Sequence, residues 1–583
     1  MKSKIYQIFG LLMVVVLVLT ACAPAQAVPN ETVVEVIKEV EKVVEVEAGP
    51  VKNIWGKAMP VDASPPEEQV LTLPCQENKH MDIAASFYDT SKSCGAVFLW
   101  ERLVMLDANN KPVPGVATDW SLSEDGLTWT FNLRKDAKWS DGSPVTAADF
   151  EYSLKRQLDP KTGGSFTWFY SDILNAGAVS NGEMDPDELG VTAVDDYTLE
   201  ITTAAKTLYL PEIMAFPTSA PVPAKTVEAV GALWSMNPET ALSNGPWKMT
   251  EYSPGRQIIL EPNEFYTGDH VPYIQKIIFK PGDGISDFPA YQAGELDGLF
   301  ADQDVTPVPP TIYRMVKEDP ILRHELYAYP YFATRYIVVN QNVEPWNDLK
   351  VRQAVAHAID REALINVIYD GLGDPAYGLL PIGFPAYVDG ALNKYQELNV
   401  ELAQSLLAEA GYPGGAGFPE VELVYKTYEE ALPRTAEMIQ AMLKENLGIN
   451  IKLRPLESSV YNVEQGEGKI NFGLQNWEFD YVDPSNFLNI YNPDLGRHKF
   501  WNNAEFNELT NKAAGWENLD ERIKLYEEAN ALLSEDVGGI FLYHWGHAQM
   551  WKPYVKGFSV NNLGYPRVPY YHLGMHNIYV TPH

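Results

Sequence analysis

Basic residues are scarce in this chain: 44 Lys and Arg stand against 78 Asp and Glu among 583 residues, a formal net charge of −34. Such a surface repels polyanions, which excludes nucleic acid and anionic bilayers as binding surfaces. Cysteine is scarcer still, at three, and only His80 lies between Cys75 and Cys94, so no zinc motif can be assembled from that pair. No metal site and no cofactor is expected. The signatures of catalysis are missing as well. His324-Glu325 lacks a second histidine four residues after the first, and neither a Gly-x-Ser-x-Gly elbow nor a phosphate-cradling Gly-x-x-x-x-Gly-Lys loop occurs. The last absence excludes an ATP-hydrolysing subunit. With so many acidic residues, pairs of carboxylates are too common to point to glycosidase chemistry.

Long apolar runs are absent with one exception. Lys2 and Lys4 precede Leu11-Leu-Met-Val-Val-Val-Leu-Val-Leu19, shorter than the ~20 residues that a membrane-crossing helix needs. Residues 1–21 therefore read as an export signal. It ends in Leu19-Thr20-Ala21-Cys22, which resembles the bacterial lipobox: small residues admit the lipoprotein peptidase, and the Cys22 thiol takes the diacylglycerol. Cys22 is then the lipidation site and first mature residue, tethering the chain to a membrane outside the cytoplasm; an unlipidated secretory signal is the alternative. Cys75 and Cys94 remain as an even pair in an oxidising compartment, where a disulfide is expected and two buried thiols are the alternative. Residues 22–69 are low in complexity, with a Val/Glu run at 33–46, Gly49-Pro50 and Pro65-Pro66, and read as a spacer.

What is present beyond the spacer is globular. At 46% hydrophobic content, a chain this long needs two or more domains. Gln69 to Pro74 reads as a strand, followed by a helix carrying Val97, Phe98, Leu99, Leu103 and Val104. Leu127 to Leu133 alternates as a strand does, Asp141-Gly142 is a tight turn, and Thr146-Ala-Ala-Asp149 is a capping box opening the helix of Phe150, Leu154 and Leu158. Asn399 to Ala410 is an amphipathic helix closed by Gly411. Val421 to Tyr425, a helix through Met438, Ile439, Met442 and Leu443, a stop at Gly448 and Ile449 to Leu453 form a β-α-β unit. The class is α/β.

One stretch places an acid among aromatic residues: Asn476-Trp-Glu-Phe-Asp-Tyr-Val-Asp-Pro-Ser-Asn-Phe487. The alternation from Lys469 to Trp477 predicts a half-buried strand that Asp483-Pro484 ends, leaving Asp480 just beyond it. In open α/β folds ligands gather past the carboxyl ends of strands, so Asp480 can meet a ligand cation while Trp477, Phe479 and Tyr481 supply apolar walls. Alternatively Asp480 and Asp483 merely cap a helix that starts at Ser485.

Several stretches in one order carry a resemblance. They are Pro112-Val-Pro-Gly-Val-Ala117, Ala137 to Phe150, Tyr152-Ser153, Asn244-Gly-Pro-Trp-Lys248, Gly255 to Glu261 and Gly294-Glu-Leu-Asp297. Asn347 to Ala354, Ala358-Ile-Asp-Arg-Glu362, Ala403 to Tyr412, Gly448 to Leu453 and Trp477 to Phe487 continue the series. Together they resemble family 5 of the extracellular solute-binding proteins, the oligopeptide, dipeptide and nickel receptors of ATP-binding-cassette importers, closest to the oligopeptide group. The resemblance spans about Val70 to the C-terminus.

It implies a periplasmic-binding-protein-like fold of two lobes closing on a ligand, with an additional third domain beside them. Residues 70–100, 225–329 and 546–583 would form lobe one, 101–224 the additional domain and 330–545 lobe two, with hinges near 330 and 545. It implies a monomeric receptor that is not an enzyme and hands an oligopeptide, or another small oligomeric solute, to a membrane permease. Asp480 falls on the acid that pairs with the peptide's α-amine in the family; Asn476 and Glu478 would lend backbone groups, and Trp477 and Trp545 would face the ligand. Core burial is the alternative for both tryptophans. The sequence also departs from the pattern. Leu474 and the Val463-Glu464 region stand where binders of longer peptides carry arginines. With 14 Trp in the chain, an oligosaccharide is an alternative solute, while nickel chelates and haem are disfavoured for want of a histidine cluster. An exported hydrolase of the same fold is the remote alternative.

Overall fold

The computed structural model describes residues 50–583 except 77–79, 84, 86–93, 108, 283–285, 300–307, 428, 494–497, 499, 561–565 and 568–572. The segment read as an export signal, Cys22 and the Val/Glu run lie outside the described residues.

Three sheets carry the fold. The first has the order Val70–Cys75, Lys276–Pro281, Gln257–Pro262, Trp247–Ser253; its first pair is parallel and the others are antiparallel. Burial alternates along Val70–Cys75, as its apolar spacing requires. The second is an antiparallel sheet of Ala117–Leu122, Thr128–Leu133, Thr198–Thr202 and Val191–Asp195. Packed against it is the helix Ala147–Leu158, whose buried face includes Phe150, Leu154 and Leu158. That helix begins where the local chemistry says it should: the Thr146 N–H donates to Asp149 Oδ2 at 2.8 Å.

The third sheet has seven strands, in the order Gly298–Leu299, Gly539–Trp551, Leu326–Val339, Phe472–Glu478, Val421–Lys426, Ile451–Leu456, with Gly373–Pro375 also paired to Gly539–Trp551. Val421–Lys426 and Ile451–Leu456 are parallel and joined by the helix Ala431–Leu447, which ends at Gly448 in the left-handed conformation (φ 71°). A hydrophobic core fills each face: Ile337, Phe472, Leu474 and Ile439 on one side, Tyr336, Tyr461, Phe487 and Phe541 on the other. The two longest strands, Leu326–Val339 and Gly539–Trp551, pair over most of their length. Their register is interrupted between the rungs Pro330/Gly546 and Thr334/His544.

Two expectations need correction. The helix predicted over Val97 to Val104 does not form. A single 3-10 turn, Ala96–Phe98, follows Gly95 at φ 79°, and Val104–Leu106 is a strand. The backbone partners are distant: the Leu103 carbonyl accepts from the Gly115 and Ala117 N–H groups, and the Arg102 carbonyl from Val116. Val97, Leu99, Leu103 and Val104 are apolar because every side of this segment is buried, not because one helical face is.

The spacer is also shorter than the 22–69 read from composition. Asn53 Nδ2 donates to the Pro272 carbonyl (2.7 Å) and Trp55 Nε1 to that of Asn263 (3.0 Å). Lys57 Nζ donates to the carbonyls of Val271 (2.7 Å) and His576 (2.9 Å) and sits 3.7 Å from the Tyr273 ring centroid. Burial lowers this ammonium to about 8. Low complexity conceals this packing because all of these partners lie hundreds of residues away in sequence.

Cys75 and Cys94 are bonded, closing a loop of 19 residues in separation. Chain entropy for a loop of that size predicts that the Cys75→Ser/Cys94→Ser variant loses about 3 kcal/mol of stability. Urea denaturation with and without reductant reads this directly; an unchanged midpoint would show that the bridge adds nothing.

Candidate functional site

The strand Phe472–Glu478 delivers the site. On one edge it pairs antiparallel with Leu326–Val339, bringing Arg335 beside Asn476, Thr334 beside Trp477 and Ala333 beside Glu478. On the other it meets Val421–Lys426 through Val424 and Gly473. Parallel register from that rung brings Lys426 level with Gln475, and there the neighbouring strand stops. From Asn476 onward the strand therefore has one strand neighbour among the described residues, and its second edge is where an extended ligand could add.

Asp480 lies just past the strand, half-buried. Its N–H donates to Asn486 Oδ1 (3.1 Å), and Asn486 Nδ2 donates back to Asp480 Oδ2 (3.0 Å). Trp477 Nε1 also donates to Asn486 Oδ1 (3.3 Å). One amide thus orients both the acid and the indole. The helix Pro484–Leu488 is capped by Asp483, which accepts from the Ser485 N–H (3.0 Å), so the capping role belongs to Asp483. Asp483 is in turn held by both terminal nitrogens of Arg522, at 2.5 and 2.9 Å, with both side chains buried. Burial by itself would lower the Arg522 guanidinium, but the paired Asp483 carboxylate outweighs it and holds the group above its ordinary value.

Around the strand end a charged cluster joins three elements. Arg335, 1% exposed, donates to Glu429 Oε2 (2.7 Å) and to Asn476 Oδ1 (3.4 Å), with its guanidinium carbon 4.7 Å from the Trp545 ring centroid. Asn476 Nδ2 reaches Glu478 Oε1 at 3.0 Å. Trp545 is half-buried, and its buried indole N–H finds no acceptor among the described residues, which leaves it available to a ligand oxygen. His544 beside it is fully enclosed and pushed down to about 3 by burial, with Nδ1 at 2.9 Å from the Thr334 hydroxyl. It is a neutral imidazole at physiological pH.

The aromatic walls expected of Trp477, Phe479 and Tyr481 are packed against neighbours, with exposures of 6%, 5% and 6%. Trp477 meets the edge of Trp168 (5.7 Å), Phe479 meets Phe332 (5.4 Å), and Tyr481 stacks on Tyr209 (5.6 Å, 10° between planes). Asp480, Asn476, Glu478, Trp477 and Trp545 are thus brought to one region. Asn486, Arg335, Glu429, Trp168 and Tyr209 join them without having been anticipated. Arg335 left a trace in the sequence, as the one charged residue of the largely apolar Tyr331 to Val339 run. Trp168 and Tyr209 left none, since their partners are some 300 residues on.

The described residues contain no cluster of three or more His, Cys, Asp or Glu that could hold a metal ion. The profile of the bacterial extracellular solute-binding proteins, family 5 (middle), matches residues 111–497. The periplasmic oligopeptide-binding protein OppA of Escherichia coli K12 is 30% identical over 473 residues, covering 79% of this chain and 84% of that protein. The dipeptide-binding protein DppE of Bacillus subtilis is 30% identical over 480 residues, covering 80% and 85%. Among solved structures, the murein tripeptide-binding protein MppA of Escherichia coli superposes with a TM-score of 0.73 at 28% identity, covering 90% of this chain and all of that one. With its periplasmic-binding α/β architecture and a sequence match over most of its length to a family of binding proteins, this chain belongs to family 5 of the bacterial extracellular solute-binding proteins and is not an enzyme.

Proposed function

We propose that this protein is the lipid-anchored receptor of an ATP-binding-cassette importer, capturing oligopeptides between two lobes and delivering them to the membrane permease. The observation that carries the reading is the half-buried Asp480 carboxylate, oriented by Asn486 just past a strand that, from Asn476 onward, has one strand neighbour among the described residues. A carboxylate in that place suits a peptide α-amine, and a strand edge without a second strand neighbour suits peptide backbone. The relatives named for oligopeptide and dipeptide binding support the ligand class. An oligosaccharide would need free ring faces to stack on, and Tyr481 spends one of its faces on Tyr209, while Trp477 is packed against Trp168.

Lobe closure would turn on the long pair Leu326–Val339 and Gly539–Trp551, where register breaks beside Pro330 and Gly546. That break falls at the proposed ends of the 330–545 lobe. The acidic surface keeps polyanions away and leaves a peptide's amine as the favoured end. Mass spectrometry of solute released by denaturing freshly purified protein tests the ligand class: peptides are expected, and bound oligosaccharide would overturn it.

Anchoring follows from Leu19-Thr20-Ala21-Cys22 after a short apolar run. Replacing Cys22 by Ser should abolish lipid-borne membrane retention. A Cys22→Ser protein that is still cleaved after Ala21 and still stays on membranes washed in high salt would exclude the lipid anchor.

A further inference from the structure

Opposite the site strand, the residue 168–212 segment presses against the 477–526 segment. Trp168 meets Trp477 and Phe169 meets Tyr481, each at 5.7 Å, and Tyr209 stacks on Tyr481 at 5.6 Å. Polar contacts cross the same face: Asn489 Nδ2 donates to Tyr209 Oη (3.4 Å), the Leu208 N–H to the Ala514 carbonyl (3.3 Å), and Lys206 pairs with Glu517 (3.1 Å).

Two half-buried acids lie beside this contact. Asp172 accepts from Tyr209 Oη at 3.0 Å and has Tyr481 and Tyr526 as its ionisable neighbours across the face. Glu212, on the short helix Leu210–Ile213, faces Asp483 and Arg522. Arg522 gives it little relief, because Asp483 holds both terminal nitrogens. Lys206 is taken by Glu517.

We propose that this face is a proton-operated latch: protonation of Asp172 and Glu212 favours the closed arrangement of the 101–224 domain on the 330–545 lobe, and their ionisation favours opening. The latch rests on the two-lobe reading above. Desolvation pushes Asp172 up to about 6, and desolvation followed by the charge of Asp483 pushes Glu212 up to about 7. In an open form both would face water and titrate as ordinary carboxylates. The closed form therefore holds their protons more tightly. Its advantage is complete below the ordinary carboxylate range and is lost progressively as pH rises through about 6 and about 7. Each unit of displacement is about a tenfold change in the closing equilibrium, so at least a tenfold swing is expected between acid and mildly alkaline solution.

The test is small-angle scattering of the ligand-free soluble mature chain from pH 5 to 8, beside the Asp172→Asn/Glu212→Gln variant, which keeps the shape of the protonated acids. Wild type should expand as pH rises, and the variant should stay compact throughout. A wild-type radius indifferent to pH, or a variant that expands as wild type does, overturns the latch. Should the variant fold poorly, proton uptake on closing gives an independent reading. Titrating wild type at pH 6.5 with a tryptic digest of casein, in phosphate and in Tris, should give heats that differ with buffer, and equal heats would count against the latch. Compaction by the digest at pH 8 reports solute-driven closing by itself. Loss of that response would strike the receptor reading, whereas loss of the pH response alone would strike only the latch.

Discussion

Replacing Asp480 by Asn should weaken binding of a free-amine peptide by about 2 to 5 kcal/mol, since removing one partner of a desolvated charge pair strands the other. The substitution is nearly isosteric, and the hydrogen bond from Asn486 Nδ2 can still end on an amide oxygen. The helix cap is untouched because Asp483 supplies it. Stability should therefore hold while affinity falls. Acetylating the peptide's amine should cost wild type a similar amount. Combining the two changes should cost clearly less than their sum, because both remove the same interaction. Calorimetric titration of the four protein and peptide combinations reads the coupling. Additive losses would mean that Asp480 does not read the amine, and a drop in melting temperature with intact affinity would make it a structural residue.

Arg522→Ala should be among the most destabilising single substitutions in the chain, at about 3 to 5 kcal/mol, because it leaves Asp483 buried without its partner. More than one contact goes with it: Arg522 also donates to the Ala513 carbonyl at 2.8 Å and approaches the Tyr526 hydroxyl at 3.4 Å. Asp483 caps the helix that carries Asn486, and Asn486 orients Asp480. Solute affinity should consequently fall along with stability, although Arg522 reaches Asp480 only through Asp483 and Asn486. The Arg522→Met/Asp483→Asn variant should recover part of the lost stability by removing the stranded charge. Urea denaturation of the three proteins checks this; a double variant no more stable than Arg522→Ala would show that packing, not the unpaired carboxylate, sets the cost.

The local elements were legible wherever a segment's own pattern carried its burial. Thr128–Leu133, the Thr146 cap, the helix Ala431–Leu447 with Gly448 behind it, and the strand that places Asp480 past its end all follow from alternation, turn residues and caps within a dozen positions. Where a segment is buried on every side, the same reasoning misleads: Val97 to Val104 has helical spacing, yet its carbonyls are spoken for by residues 115–117. The ordered stretch from Lys52 failed for a related cause, since its order comes from carbonyls of Val271, Pro272 and His576 rather than from its own composition.

The sequence by itself determined the class of fold, the family, the acidic surface and the position of one acid beyond one strand, because each is written in composition, short periodicities or an ordered series of motifs. Only the tertiary structure decided which of the two neighbouring acids caps the helix and which is held by Asn486 beyond the strand. It brought Arg335 and Glu429 to Asn476, set Trp168 edge-on to Trp477, and placed Asp172 and Glu212 near Tyr481 and Arg522. The reason is physical. A residue's own periodicity records whether it is buried, but the identity of its partner, and with it the charge and hydration of the site, depends on chain segments hundreds of residues away that meet only once the sheets have packed.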